Sequence, residues 1–244
     1  MHCHFVFAIK RKAHGSIDKF KARLVADGNT QKHGVDFNRV FATVVKALTI
    51  RLVLAIAAAR NYNLTSLDIR HAYLQATIDE DLYMRVPPGI NSGNNSLVCK
   101  LRCSLYGLKQ AGREWGLLLT SFLVSWGFVR STIDVCLYTY QSGNLVLWVL
   151  VYVDDILIAD NCSKLRARFV ADISKRFPTE DKGKLEWILN REHRHHARPR
   201  CTDPEPVPGP LRRRPRRQVQ RIPRPVPLTS LRLAYGRGAR TFRR

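Results

Sequence analysis

Two adjacent carboxylates between two apolar runs are the feature that most constrains what this chain folds into. Residues 145–151 are almost wholly aliphatic or aromatic, and residues 156–159 are apolar again. Short apolar runs rich in Val, Leu and Ile predict buried strands. Asp154 and Asp155 would therefore lie at the tip of a hairpin beside the core, where a carboxylate without a partner is costly. We infer that a divalent metal ion is that partner.

A third carboxylate belongs to another strand-like run further upstream. Residues 64–69 read LTSLDI, and Asp68 lies near the end of this run. Mg²⁺ prefers hard oxygen ligands and is commonly held by a few carboxylates together with substrate phosphates. Two such ions about 3.5–4 Å apart can clamp the attacking and leaving oxygens of an in-line phosphoryl transfer. The alternative interpretation is three unrelated aspartates in turns or caps.

Further sequence blocks follow one another along the chain in a characteristic order. They are KARLVA at 21–26, GVDF at 34–37, LDIRHAYL at 67–74, YMRVPPG at 83–89, SLYGLKQA at 104–111, Trp115 and YVDD at 152–155. With these blocks in this order, residues 5–189 resemble the reverse transcriptase domain of Ty1/copia-type retrotransposons. YVDD alone is a weak signal, whereas the ordered set is specific.

The resemblance implies an RNA-directed DNA polymerase that acts by two-metal nucleotidyl transfer. It implies that Asp68, Asp154 and Asp155 are the catalytic and metal-binding residues, with two Mg²⁺ ions, or Mn²⁺ in their place, as cofactors. The implied partners are an RNA template, a DNA primer and dNTPs. The integrase and ribonuclease H parts of a retrotransposon polyprotein are not recognisable in this sequence.

The resemblance also assigns a set of nucleotide-binding residues. Arg23 resembles a fingers arginine that contacts the incoming triphosphate, with Lys21 beside it, because a planar guanidinium makes bidentate phosphate contacts. The backbone at Arg70 and His71 would face the triphosphate, as turn amides do in anion nests. Tyr73 stands where an aromatic ring would clash with a 2′-hydroxyl and so select deoxynucleotides. The alternatives are a solvated strand face for Arg23 and an ordinary core residue for Tyr73.

Three further residues complete the predicted contacts. Gly107 would let the backbone approach the nucleotide or the templating base, because glycine has no Cβ. Lys109 is assigned as a phosphate contact to nucleic acid, and Tyr152 as a second nucleic-acid contact.

Hydrophobic periodicity predicts an α+β fold. We expect one β-hairpin over residues 5–9 and 20–26, and a second over residues 135–140 and 145–153. Helices are predicted over 48–60, 110–126 and 163–177, the last with Ser163 as its N-cap. The order strand, helix, strands, helix, strand is the βαββαβ-like order of a polymerase palm. The first hairpin would belong to a partial fingers region.

Positive charge is concentrated at the C-terminal end of the chain. The net charge is +22, and residues 191–244 hold sixteen Arg, no Lys and three acidic residues, a net +13. The same segment contains nine of the twelve prolines. We therefore expect residues 190–244 to be a disordered Arg/Pro-rich tail, since such a segment buries too little apolar surface to offset its ordering entropy. The abrupt change of composition suggests the hypothesis that the tail is read out of frame.

Cysteine usage and hydropathy bear on the compartment. The six cysteines are scattered without a complete zinc-binding pattern. The sequence has no run of eighteen apolar residues, so we expect no membrane span and no membrane partner. We expect an intracellular protein with reduced thiols. The resemblance implies cytoplasmic particles, whereas the Arg clusters favour the nucleus.

Two other kinds of protein are alternatives to an active polymerase. The resemblance ends near Leu189 without a recognisable primer grip or ribonuclease H sequence, which predicts a truncated polymerase that is weak or inactive. One alternative is a non-catalytic nucleic-acid-binding relic dominated by its basic tail, whose binding would weaken steeply with salt. The other is an unstable product without function, which would fail to unfold cooperatively.

Overall fold

The computed structural model describes residues 1–11, 14–90 and 97–185, together with the backbone of residues 187–188 and 191–192. The chain divides into two units, Met1–His195 and His196–Arg244. The second unit lies outside the described residues. Disorder was predicted for residues 190–244; Arg191 and Glu192 form a short strand instead, and the rest of that prediction lies outside the described residues.

The described residues combine three α-helices with twelve strands. The helices are α1 (Ala47–Ala59), α2 (Ala111–Trp126) and α3 (Ser163–Arg176). The strands are β1 (Cys3–Arg11), β2 (Ile17–Ala26), β3 (Asn63–Ile69), β4 (Tyr83–Arg85), β5 (Val98–Lys100), β6 (Val129–Arg130), β7 (Leu137–Ser142), β8 (Leu145–Tyr152), β9 (Asp155–Asp160), β10 (Thr179–Lys184), β11 (Trp187–Ile188) and β12 (Arg191–Glu192). The predicted α+β class is confirmed.

A six-stranded sheet with the strand order β10-β3-β9-β8-β7-β6 forms the centre of the described unit. Every neighbouring pair in it is antiparallel. The chain order β3, α2, β6 to β9, α3, β10 reproduces the predicted order of strands and helices. Strand β9 is buried on both faces, which is why its sequence is a continuous apolar run instead of an alternating one.

Hydrophobic clusters lie on both faces of this sheet because side chains alternate along each strand. Ile156 and Ile158 of β9 share one cluster with Trp115 of α2 and Phe169 of α3. Their neighbours Leu157 and Ala159 share the other cluster with residues of α1. The helices therefore cover the sheet from two sides, while the tip of the β8–β9 hairpin, residues 152–155, is half-buried or exposed.

The hairpin β1–β2 is a separate two-stranded sheet with two unlike faces. The register pairs Phe7 with Ala22 and Ile9 with Phe20, so these apolar side chains share one face. Lys10 pairs with Lys19, and Lys21 and Arg23 alternate onto that same basic face. At its base, the Ala26 N–H donates to the Tyr106 carbonyl (2.8 Å).

One local prediction is wrong. Ser163 is the first residue of α3 and not its N-cap, because Cys162 is the residue with extended backbone (φ −143°, ψ 106°) before the helix. No side chain caps this end. Among the helices that the structure describes, none is both long and apolar enough to span a bilayer.

Candidate active site

The tip of the β8–β9 hairpin is a two-residue turn of unusual backbone conformation. Tyr152 pairs with Asp155, so Val153 and Asp154 make the connection. Val153 has a φ of +59°, which is an outlier for a β-branched residue. Neighbouring elements bind both of the turn's carbonyls. The Val153 oxygen accepts from the Trp115 indole Nε1–H (2.7 Å), and the Asp154 oxygen accepts from the Ile69 N–H (2.8 Å).

Strand pairing brings three carboxylates into a row across the sheet. Asp68 on β3 is paired with Asp155 on β9 and with Glu180 on β10. Residues directly opposite on neighbouring strands point to the same face. Glu180 is balanced by cations: its carboxylate accepts from Lys182 (2.5 Å) and from Arg70 (3.2 Å), which lowers its pKa to about 2.

Asp68, Asp154 and Asp155, the aspartates of this carboxylate cluster, are not paired with cations as Glu180 is. Burial raises the pKa of Asp155, and the neighbouring carboxylates of Asp154 and Asp68 raise it further. Within the described ranges, none of the three forms a salt bridge. Like charges opposite one another in a sheet are destabilising. The cluster therefore has the electrostatics of a site that gains from a bound cation.

The donor chemistry of this cluster fits a hard divalent cation, since all its ligating atoms are carboxylate oxygens. The side chains are not gathered around a single point. In the part of the chain that the structure describes, no group of three or more His, Cys, Asp or Glu side chains converges closely enough to hold a metal ion. The cluster thus places suitable carboxylates at neighbouring backbone positions, but their oxygens do not form a coordination shell.

A cleft of about 480 Å³ opens between the carboxylates and the hairpin β1–β2. Its volume is in the range of small-molecule sites. One wall is basic and contains Lys19, Lys21 and Arg23. The opposite side contains Asp68 and Asp154. The remaining lining residues are Phe20, Ala22, Leu24, Ile69, Arg70, His71, Leu74, Leu105, Tyr106 and Glu180.

Cations crowd one another on the basic wall. Burial lowers the pKa of Lys21, and the nearby charges of Lys10, Arg23 and Lys19 lower it further. A multiply charged anion in the cleft would relieve this repulsion, and the carboxylates opposite would exclude the anion unless a cation accompanied it. The two walls together suit an anion that binds as a metal complex.

Two tyrosines connect the basic wall to the carboxylates. The Arg23 guanidinium lies 5.5 Å from the centroid of the Tyr106 ring, and the Tyr106 and Tyr73 rings are 5.1 Å apart. Burial raises the pKa of Tyr73, and the charge of Asp154 and the Tyr106 hydroxyl add to the shift. Tyr73 therefore lies beside the carboxylate cluster, behind the lining residue Tyr106.

The turn after β3 presents backbone at the edge of the cleft. Both Arg70 and His71 line the cleft, and His71 has a φ of +55°. The Arg70 N–H donates to Pro178 (2.8 Å). No described residue accepts a hydrogen bond from the N–H groups of His71 and Ala72. This arrangement leaves the N–H groups of His71 and Ala72 for an anion, whereas the Arg70 N–H, a predicted donor of the nest, is bound to Pro178. The nest at His71 stays a prediction.

The other predicted residues lie outside the cleft lining. Gly107 has a φ of +90°, and a Cβ there would stand 2.1 Å from the Ala26 carbonyl oxygen, so its small size serves close packing of the hairpin base. The Lys109 ammonium donates to the Gln31 carbonyl (3.1 Å) and lies 4.8 Å from the centroid of the Phe37 ring. Tyr152 is partly exposed beside the turn. The nucleotide and nucleic-acid roles of these residues remain predictions.

Three residues at the site were not predicted from the sequence: Tyr106, Trp115 as a partner of the turn, and Glu180. Tyr106 and Trp115 stand in recognised blocks, so block membership was a signal for both. Glu180 had no local signal, because its position opposite Asp68 depends on the pairing of β10 with β3.

One protein family and several retrotransposon polyproteins are similar in sequence to this chain. Residues 1–198 match the family described as Reverse transcriptase (RNA-dependent DNA polymerase). The Retrovirus-related Pol polyprotein from transposon RE1 of Arabidopsis thaliana is 41% identical over 191 residues, covering 78% of this chain and 13% of the polyprotein. The corresponding polyprotein from transposon TNT 1-94 of Nicotiana tabacum is 38% identical, with 77% and 14% covered. The Transposon Ty1-NL2 Gag-Pol polyprotein of Saccharomyces cerevisiae is 30% identical, with 72% and 10% covered. The chain thus spans only a small part of each of these relatives.

Proposed function

The chain belongs to the reverse transcriptase family of copia-type retrotransposon polyproteins, and from this membership we propose that it catalyses RNA-templated DNA synthesis. The six-stranded sheet with α1, α2 and α3 is assigned as the polymerase palm. The hairpin β1–β2 is assigned as part of the fingers. An RNA template, a DNA primer and dNTPs are the substrates, and the site of action is inside the cell, in cytoplasmic particles or the nucleus.

The opposed charges of the cleft carry this proposal. Lys21 and Arg23 stand on one wall and Asp68 and Asp154 on the other, in a volume of about 480 Å³. A nucleoside triphosphate bound with a divalent cation has charges that match both walls. A nucleic-acid-binding surface without catalysis needs the basic wall but gives no reason for three aspartates without salt bridges.

In the proposed reaction, the basic wall binds and orients the triphosphate. Arg23 donates hydrogen bonds to phosphate oxygens, which a planar guanidinium does in a bidentate manner. Lys21 adds a donor from the same wall, and the N–H groups at His71 and Ala72 add donors from the edge of the cleft. This positioning is a major source of rate in phosphoryl transfer, because the protein does little covalent chemistry itself.

The carboxylates would hold the cofactor. Asp68, Asp154 and Asp155 would bind two Mg²⁺ ions, which when bound lower the pKa of the primer hydroxyl and neutralise charge on the triphosphate. Arg70 and Lys182 neutralise Glu180 on the same face, so the aspartates are the carboxylates left to hold the cations. Tyr73, packed against Tyr106, would exclude a 2′-hydroxyl and so favour dNTPs.

Primer extension on an RNA template with dNTPs and Mg²⁺ tests the proposal. We expect wild-type chain to extend the primer, and Asp68→Asn and Asp154→Asn to lose extension by at least about a hundredfold, as expected when catalytic positioning fails. Asp81→Asn is the matched control, because Asp81 pairs with Lys100 away from the cleft. Mn²⁺ replaces Mg²⁺ in a parallel reaction. A folded wild-type chain that fails with both ions would refute the proposal.

The same variants also test the alternative function, a non-catalytic nucleic-acid-binding relic. That function predicts template binding that Asp68→Asn and Asp154→Asn leave intact, without extension by any variant. The observation that favours this alternative is the exposed basic face of the hairpin β1–β2, where Lys10 and Lys19 lie side by side. Binding through such a face weakens steeply as salt rises.

A further inference from the structure

The indole of Trp115 is the sole described hydrogen-bond donor to the Val153 carbonyl. Its Nε1–H lies 2.7 Å from that oxygen. Trp115 is 2% exposed and packs edge-on against Phe177, with ring centroids 5.3 Å apart. A donor on a fully buried ring has a fixed position, so the carbonyl that it binds is fixed as well.

Resting on the proposed function, we propose that Trp115 is a positioning residue that sets the direction of the Asp154 carboxylate. The planar peptide unit that contains the Val153 carbonyl ends at the Asp154 Cα. The following unit contains the Asp154 carbonyl, which accepts from Ile69 on β3. Both peptide planes around Asp154 are thereby anchored, and the Cα–Cβ direction of its side chain follows from them.

The conformation of Val153 explains why such an anchor is needed. Asn61, His71 and Val153 are the described non-glycine residues with positive φ, and Val153 alone among them is β-branched. A strained conformation persists only where the surroundings over-determine it. Without the indole donor, rotation about the Val153 N–Cα bond would relieve this strain, carry the Val153 carbonyl out of place and turn Asp154 away from the cleft.

Helix α2 supplies a matched control for this proposal. Trp126 lies on the same helix in the same hydrophobic cluster, and its Nε1–H also donates one hydrogen bond, to Asp172 (3.2 Å). Trp126→Phe therefore removes an indole and a hydrogen bond without touching the turn. Trp115→Phe removes the donor to Val153 and keeps an aromatic ring.

A second variant separates the hydrogen bond from the size of the ring. Replacement of Trp115 by 3-benzothienylalanine through amber suppression keeps the shape of the indole and replaces its N–H by sulfur. It also provides the test if Trp115→Phe does not fold. Each full-length variant is compared with wild type by thermal unfolding before use.

Two readouts are measured on each protein. The first is the ¹H–¹⁵N spectrum at the amides of residues 153–155, which requires no polymerase activity. The second is single-nucleotide incorporation, where we expect both Trp115 variants to lower kcat by about tenfold or more, with the dNTP KM changed less than about twofold. Trp126→Phe is expected to change neither readout.

The outcomes are distinguishable from failure of the proposed function. Shifted amide resonances at residues 153–155 and a lower kcat in both Trp115 variants support the proposal. If kcat falls in Trp115→Phe alone and the benzothienylalanine variant behaves like wild type, ring volume matters instead of the hydrogen bond, and the proposal is overturned. If wild-type chain incorporates no nucleotide, the proposed function fails by itself, and unshifted amides in both Trp115 variants overturn the positioning role.

Discussion

At the residue scale, Arg23 has a partner that a nucleotide would have to displace or share. Its guanidinium lies over the Tyr106 ring at 5.5 Å, and the neighbouring Lys21 has a lowered pKa from burial and like charge. A cation over an aromatic face gains modestly at exposed sites, about 0.5–1 kcal/mol. Charge-assisted hydrogen bonds to phosphate gain more, so the side chain should transfer from the ring to the triphosphate.

Replacement of Arg23 tests this at a single position. We expect Arg23→Gln to raise the dNTP KM by about 10- to 100-fold, since hydrogen bonds to charged groups contribute about 1.5–3 kcal/mol each. Arg23→Lys should recover only part of the loss because an ammonium lacks the planar fork. Steady-state incorporation kinetics give the values, with Arg60→Gln at the end of α1 as the control. An unchanged KM in Arg23→Gln would remove Arg23 from the site.

At the scale of elements, close backbone packing joins the hairpin β1–β2 to the rest of the unit. A Cβ on Gly107 would stand 2.1 Å from the Ala26 oxygen, and one on Gly28 would stand 1.9 Å from the Gly107 oxygen. Both neighbours are backbone atoms that cannot turn aside. The Ala26 N–H donates to the Tyr106 carbonyl at the same junction. The basic wall of the cleft therefore depends on two glycines.

Gly107→Ala should separate this packing from backbone strain. Gly15 has nearly the same φ (+89° against +90°) with nothing within 4 Å of its Cβ position. We expect Gly15→Ala to lose about 1–2 kcal/mol of unfolding free energy from φ alone, and Gly107→Ala to lose roughly 2 kcal/mol more from overpacking. Urea unfolding measures both variants. Equal losses would mean that the junction tolerates a side chain.

A buried carboxylate organises the start of α1 from a distant part of the chain. Asp134 is 3% exposed and accepts from the Thr49 hydroxyl (2.6 Å) and from the backbone N–H groups of Lys46 (2.9 Å) and Cys136 (3.0 Å). Burial acts to raise the pKa of Asp134, but these hydrogen bonds outweigh it and the pKa lies below the ordinary 3.8. Asp134 thus serves as an N-terminal cap that α1 does not carry itself.

Asp134→Ala should cost about 2–4 kcal/mol of unfolding free energy, because it removes the cap and leaves buried donors without an acceptor. Since the folded pKa is depressed, the stabilisation by Asp134 is present above about pH 4 and is lost as the pH falls through the folded pKa. Urea unfolding at pH 7 and at steps below pH 4 should show the difference from wild type shrinking. Asp81→Ala is the control. A difference that does not change with pH would assign the effect to packing.

At the scale of the whole molecule, a chain of net charge +22 keeps three aspartates together without a salt bridge in its described part. Crowding of carboxylates costs folding free energy, and burial together with Asp154 and Asp68 raises the pKa of Asp155 accordingly. Sites of this kind trade stability for function. Ligand that binds only the folded state should recover stability.

Thermal unfolding with and without metal tests this trade. In EDTA, Asp68→Asn should be more stable than wild type by up to about 1 kcal/mol, because it removes a like-charge pair. Saturating Mg²⁺ should raise the Tm of wild type by a few degrees and leave Asp68→Asn almost unchanged. Asp81→Asn should respond to Mg²⁺ as wild type does. A Tm that Mg²⁺ does not change in wild type would argue against a metal site in the absence of nucleotide.

Much of the architecture could be predicted because its signals are local. The apolar run at 156–159 is short and unbroken, which predicts a strand buried on both faces, and β9 is one. The helical spacing over 110–126 similarly predicts α2, which begins at Ala111 and ends at Trp126. The start of α3 was mispredicted by one residue, because capping depends on the backbone conformation of Cys162 and not on the preference of Ser163.

The sequence by itself determined the three helices, the two main hairpins and the family, and it predicted the aspartates as site residues, since apolar period and ordered motifs can be read along the chain. Only the tertiary structure decided which side chains meet. Strand pairing sets Glu180 opposite Asp68, hairpin packing brings Arg23 across a cleft from Asp154, and α2 delivers the Trp115 indole to a strained turn. These contacts join residues 38 to 131 positions apart. Their physical cause is the common packing of distant elements on one sheet, which no local pattern encodes.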